Sequence, residues 1–192
     1  LEEKFREKID RALGELEEDI SEQMEAYSIN VDGVTQHGGG FYMYATTATK
    51  INEVNERAAK MIDQVRLYME QNNISINGKP FVVYNQRNQQ SGTSIFSAAV
   101  PTSSLVVTPG GSPVLNGYLP PQRVVKTTLR GNYKNAPEAW EATYQYINKN
   151  GMNIAPEGQP FEVFITDPEE VQNPAKWVTE IYIPVENSSA KE

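Results

Sequence analysis

Apolar residues recur at three- and four-residue steps in three stretches of the chain. Over residues 1–25, Phe5, Ile9, Leu13 or Leu16, Ile20 and Met24 are separated by charged residues, a spacing that predicts an amphipathic helix. Ile51, Val54, Ala58, Met61, Ile62, Val65 and Met69 predict a second helix, with Tyr68 near its end. Pro137, Glu138 and Ala139 open a third. It carries Ala139, Trp140, Thr143, Tyr144 and Ile147 and stops before Gly151, where a left-handed cap is expected.

Runs of β-forming residues flank the second and third helices, and the whole arrangement occurs twice. Phe41–Thr47 and Gln122–Leu129 precede the helices, and Ile95–Pro101 and Thr179–Pro184 close the two copies. Between helix and closing strand lies the strongest internal match, with a spacing of 80 residues. It pairs Asn77-Gly78-Lys79-Pro80-Phe81-Val82-Val83-Tyr84 with Glu157-Gly158-Gln159-Pro160-Phe161-Glu162-Val163-Phe164. Each is a tight turn followed by a strand, with Pro at a position where a missing N–H is tolerated. The expected fold is therefore α+β, with duplicated strand-helix-strand-strand units over about 26–101 and about 118–186. The two units should share one antiparallel sheet, with both helices on one face and a central cleft between the halves. A further short strand is expected around Ser28–Gln36, and the Pro-, Gly- and Ser-rich residues 102–121 read as a connection.

Charge sets the N-terminal helix apart from the remainder. The chain has 192 residues, 17 Lys+Arg, 25 Asp+Glu and a formal net charge of −8. Residues 1–25 hold ten acids against four bases. That helix reads as an attachment whose apolar stripe must be covered by the main domain, by a second copy in a homodimer, or by an upstream domain. The acidic balance disfavours direct nucleic-acid contact. No cysteine is present, which excludes disulfides, thiolate nucleophiles and zinc–thiolate sites. No run of apolar residues approaches the ~20 a membrane span needs. The first residue is Leu rather than Met, so a fragment or processed form is expected, with any targeting or anchor segment upstream.

Glu180 is the first candidate for chemistry. It lies in Trp177-Val178-Thr179-Glu180-Ile181-Tyr182-Ile183-Pro184-Val185, and strand alternation puts Glu180 and Tyr182 on one face and Ile181 and Ile183 on the other. A carboxylate among aromatic rings can recognise a cation or polarise water; on a solvated face it does neither. Ser97 stands at the equivalent place in the first copy. Ten Tyr against six Phe suit a semi-polar ligand, with Tyr44, Tyr84, Tyr133, Trp140, Phe164, Trp177 and Tyr182 as wall candidates beside Glu180. His37-Gly38-Gly39-Gly40 spells an esterase oxyanion-hole loop, yet the chain lacks a G-x-S-x-G elbow and has a single His. The run therefore reads as a flexible turn. No catalytic set, metal cluster or phosphate loop is expected, and no cofactor. Asn187-Ser188-Ser189 matches the glycosylation triplet without a secretory context.

The ordered set Leu129-Arg130-Gly131-Asn132-Tyr133, Ala139-Trp140, Tyr146-Ile147, Asn150-Gly151, Gly158–Phe164 and Thr179–Val185 resembles the GyrI-like domain, the effector-binding domain of AraC-type and MerR-type bacterial transcription regulators. Phe41–Tyr44 and Gly78–Tyr84 give a weaker first copy, so the likeness covers about residues 26–186. The resemblance implies a two-unit fold whose central cleft binds small, often lipophilic and cationic molecules without catalysis, in the bacterial cytoplasm. It implies that Glu180 meets the ligand's charge, with Tyr133, Trp140 and Tyr182 as walls. An alternative carried by some branches is hydrolysis of electrophilic small molecules with a glutamate activating water. Nothing upstream of residue 26 resembles a helix-turn-helix, which leaves ligand binding as the expected role.

Overall fold

The structure, a computed structural model, describes residues 2–88 and 90–186; the Asn187-Ser188-Ser189 triplet and the side chain of Phe5 lie outside the described residues. Helix α1 (Glu2–Glu25) is followed by β1 (Ser28–His37), β2 (Gly40–Lys50), α2 (Val54–Gln71), β3 (Phe81–Asn88) and β4 (Thr93–Thr102). Then come β5 (Leu115–Leu119), β6 (Gln122–Arg130), α3 (Ala136–Lys149), β7 (Phe161–Phe164) and β8 (Val178–Pro184). The eight strands form one sheet in the order β1-β6-β8-β7-β3-β4-β2-β5, and every pairing is antiparallel.

The duplication seen in the sequence is the organising symmetry of this sheet. β2-α2-β3-β4 and β6-α3-β7-β8 are the two units, and they meet where β3 pairs with β7. There Val82 lies opposite Glu162, two positions that the 80-residue repeat makes equivalent, so the pseudo-twofold axis passes between them. Ser97 sits between Thr46 and Val83 as Glu180 sits between Thr128 and Val163. The helices end alike. Gly151 (φ 62) and Asn73 (φ 54) both take the left-handed conformation, and the next N–H, of Met152 or Ile74, bonds back to Ile147 or Met69 at 3.0 and 2.8 Å, closing each C-terminus in the same motif.

Two features differ from the sequence reading. Residues 102–121 hold β5, which pairs with β2; its Leu-Asn-Gly-Tyr-Leu run lacks the alternation that would have marked it. The strand before each unit also pairs with the other unit, β1 with β6 and β5 with β2. This exchange bends the sheet. β1 and β2 are six strand positions apart, roughly 29 Å in a flat sheet, yet only Gly38 and Gly39 join them. Pro120 and Pro121 make the reciprocal link between β5 and β6. Two residues cannot span that distance, so the sheet curls until its outer strands meet at this end.

The curl gives the sheet an inner face and an outer face. Tyr42, Phe81, Val83, Ala99, Leu119, Val124, Phe161 and Tyr182 pack together on the inner one. Both helices lie outside, as expected. α2 buries Val54, Ala58, Met61, Ile62, Val65 and Met69 against Met43, Val82, Phe96, Ala98 and Val100. α3 buries Ala136, Ala139, Trp140 and Ile147 against Val125, Leu129, Ile181 and Ile183. Each fully buried aliphatic side chain contributes about 1.5–3 kcal/mol. The two helix cores are separate, and a groove runs between them over β3 and β7.

α1 touches the body at its C-terminal end, where Lys134 meets Glu25 at 3.1 Å; just past that end, Tyr27 donates to Glu138 at 2.7 Å. Its Ile9, Leu13, Leu16, Ile20 and Met24 are exposed. Among the described residues no helix is long and apolar enough to cross a membrane.

Candidate functional site

The sheet divides the residues singled out from the sequence. Glu180, Tyr182 and Tyr44 lie on the inner face, whereas Tyr84, Trp140, Phe164, Tyr133 and Trp177 lie toward the helices. A single molecule cannot reach both sets.

On the inner face Glu180 is already engaged. Tyr182 donates its hydroxyl to one carboxylate oxygen at 2.6 Å, and Lys126 lies 2.7 Å from the other. The acid is 20% exposed. Burial, the Glu180 hydrogen bond and its charge push the Tyr182 hydroxyl well up. Tyr182 stacks on Phe161 at 4.8 Å, and the His37 ring meets both edge-on at 4.8 and 5.1 Å. The Gly39 N–H donates to His37 Nδ1 at 3.1 Å, which puts the neutral ring's proton on Nε2. Burial pulls the His37 pKa down against the opposing pull of Glu180. A cleft of about 270 Å³ beneath the closure is lined by His37, Lys79, Phe81, Phe161 and Val163; Glu180 is not among its walls.

The outer groove is built around a different acid. Glu162 is 2% exposed and accepts a hydrogen bond from the Trp140 indole N–H, with the Tyr84 hydroxyl nearby. Burial raises its pKa, and Trp140, Tyr84 and the charge of Arg87 hold it partly back. Burial and the facing carboxylate push the Tyr84 hydroxyl far up. Tyr84 and Trp140 meet edge to face at 5.3 Å. Two clefts flank this cluster, one of about 360 Å³ between the N-terminal ends of α2 and α3, floored by Glu162. The other, about 380 Å³, runs beneath Tyr144 and Pro156–Pro160. Farther along, Tyr133 packs on Trp177 at 4.7 Å and on Phe164 at 5.3 Å. Its hydroxyl donates to the Thr166 carbonyl at 3.2 Å, and its pKa is pushed up to about 12, mainly by burial. A third cleft, about 180 Å³, lies beside it against Ile62, Arg66 and Asp167.

Glu162 was not singled out from the sequence, although a signal for it existed. It is an acid flanked by Phe161, Val163 and Phe164, and the other copy has Val82 at its place.

The family model described as the GyrI-like small molecule binding domain matches residues 41–186. The chain belongs to this family. No curated protein sequence matches it. Among solved structures, the GyrI-like chain is similar to EcmrR in its complex with DNA, at 16% identity and a TM-score of 0.71, over 94% of this chain and 65% of that one. It thus spans just under two thirds of that relative's length. The C-terminal domain of EcmrR alone is matched over 98% of its length, covering 84% of this chain, at 16% identity and a TM-score of 0.69. SAV2435 bound to tetraphenylphosphonium is 13% identical, with a TM-score of 0.55 over 84% of this chain and 94% of that one. A hydrolase from Listeria innocua is 11% identical, with a TM-score of 0.53 over 80% and 92%. At these identities the likeness is one of fold.

The GyrI-like domain is therefore a small-molecule-binding unit. Its outer groove offers a poorly solvated carboxyl and two large rings with polar edges. Among the described residues no cluster of His, Asp or Glu could hold a metal ion.

Proposed function

We propose that this GyrI-like domain senses a lipophilic cation, without catalysis, in the groove between α2 and α3. Glu162 receives the charge, Tyr84 and Trp140 form the walls, and Tyr133, Phe164 and Trp177 extend the apolar surface. The observation that carries the reading is Glu162 itself. It is buried on the pseudo-twofold axis, floors a cleft, and has no ion-pair partner among the described residues. Buried carboxylates are normally paired. Cleft volumes of about 360 and 380 Å³ fall in the range of small-ligand sites. The cation seen on SAV2435 supports the ligand class. We assign Glu180 to the ion pair with Lys126 and to Tyr182.

Titration of Trp fluorescence with tetraphenylphosphonium tests this. Glu162→Gln is expected to weaken binding at least about tenfold, equivalent to ~1.4 kcal/mol, while Glu180→Gln leaves it unchanged. The opposite pattern would move the site to the inner face. A hydrolase using Glu180 as base would need water within reach of the carboxylate, in competition with Lys126 and Tyr182, which already engage one oxygen each.

The exposed stripe on α1 predicts self-association through that helix, with any upstream domain brought into register by it. Sedimentation should show a dimer that becomes monomeric when residues 1–25 are removed. An unchanged sedimentation coefficient per chain would leave the stripe to another partner.

A further inference from the structure

The groove contains a cation of its own. β3 alternates regularly through Val82 and Tyr84, and a bulge then shifts its register against β4 between Tyr84 and Gln86. Without that extra residue Arg87 would point away from Tyr84. With it, Arg87 turns to the same side, and its guanidinium carbon lies 6.0 Å from the Tyr84 ring centre and 5.9 Å from that of Trp140. Both distances are at the limit for cation–π attraction.

The placement is not that of a settled structural ion pair. Arg87 makes no salt bridge with Glu162 among the described residues, although its charge is felt there. Among the described residues its buried Nε has no hydrogen-bond partner, an arrangement that is unfavourable relative to hydration because the donor has given up water for nothing. Arg87 also lines both larger clefts, together with Tyr84 and Trp140, and so stands between them.

Resting on the groove reading above, we propose that Arg87 is a stand-in cation: its guanidinium covers the Tyr84 and Trp140 rings beside Glu162, and a cationic ligand enters by displacing it. On leaving, the guanidinium regains water at Nε, while the two clefts join and the ligand's charge takes the rings and the carboxylate. Arg87 thereby sets both selectivity and threshold. A weakly bound or uncharged molecule gains too little to expel it.

The test is tetraphenylphosphonium binding by the full chain and by Arg87→Ala and Arg87→Gln, with thermal unfolding followed in parallel. Each variant should bind the cation about tenfold more tightly, the worth of one desolvated cation–π contact. Triphenylphosphine oxide, of similar shape and no net charge, should gain less. Cation affinity that is unchanged or weaker in folded variants would overturn the proposal. So would loss of 2-naphthoate binding in both variants where the unaltered chain binds it, since Arg87 would then be an anion anchor. If Glu162→Gln abolishes cation binding while Arg87 changes nothing, only the stand-in role falls. If neither the unaltered chain nor any variant binds the cation, the groove reading falls and takes this one with it.

Discussion

Gly39→Ala is expected to destabilise the protein by on the order of 3–4 kcal/mol, while Gly38→Ala stays within about 1 kcal/mol. Gly39 has φ +69, and a Cβ there would lie 2.1 Å from the Leu119 carbonyl oxygen and 2.7 Å from the Pro120 carbonyl carbon. Both obstacles are backbone and cannot rotate aside. At Gly38 a Cβ would meet no atom within 4 Å, and the backbone φ is not positive. The contrast follows from the curl of the sheet, since the β1–β2 link must pass directly over the β5–β6 link where the outer strands meet. Against a typical total stability of about 5–15 kcal/mol, the loss should be plain in urea unfolding, and should lower the midpoint of thermal unfolding by roughly 10 °C. If His37–Gly40 were a flexible turn, as its composition suggests, the two substitutions would be equally mild.

That contrast also marks what the chain discloses about its fold. The helices at Val54–Gln71 and Ala136–Lys149 were legible because their packing faces are local patterns of three and four. The repeat was legible because Gly78-Lys79-Pro80-Phe81 and Gly158-Gln159-Pro160-Phe161 keep their turn and strand-start residues. Strand parity was legible too: Ile181 and Ile183 pack under α3 while Tyr182 turns the other way. The exchange of β1 and β5 between units was not, because a strand's partner is not encoded in its own residues. For the same reason the sequence placed Glu180 and Trp140 around one cleft. Which face of β3 continues which face of β8 depends on the Val82–Glu162 register, and that register carries Tyr84 to the helix side with Glu162. The bulge after Tyr84 then reverses the parity of Arg87, a shift of one residue that no composition signal announces.

Glu162→Gln is expected to make the domain more stable at pH 7 by about 1–2 kcal/mol, even as it binds the ligand more weakly. An amide keeps an oxygen for the Trp140 indole N–H and removes the charge that burial penalises. The pH dependence follows from the raised pKa of Glu162 in the folded state. Above the ordinary glutamate value of 4.5 the unfolded chain gives up this proton first, so the unfolded state gains ground as pH rises through the interval up to the folded value. Stability held below that interval is thus lost across it and is constant above. The other carboxylates titrate alike in both proteins and cancel in the difference. Urea unfolding of the two proteins should therefore agree near pH 4 and diverge toward pH 7, with the Gln variant ahead. Equal stability at both pH values would mean that Arg87, Trp140 and Tyr84 compensate the carboxylate fully, leaving no unmet charge for a cation to satisfy. A more stable variant that binds more weakly would identify Glu162 as a residue retained against folding stability, which is the mark of a binding group rather than a packing group.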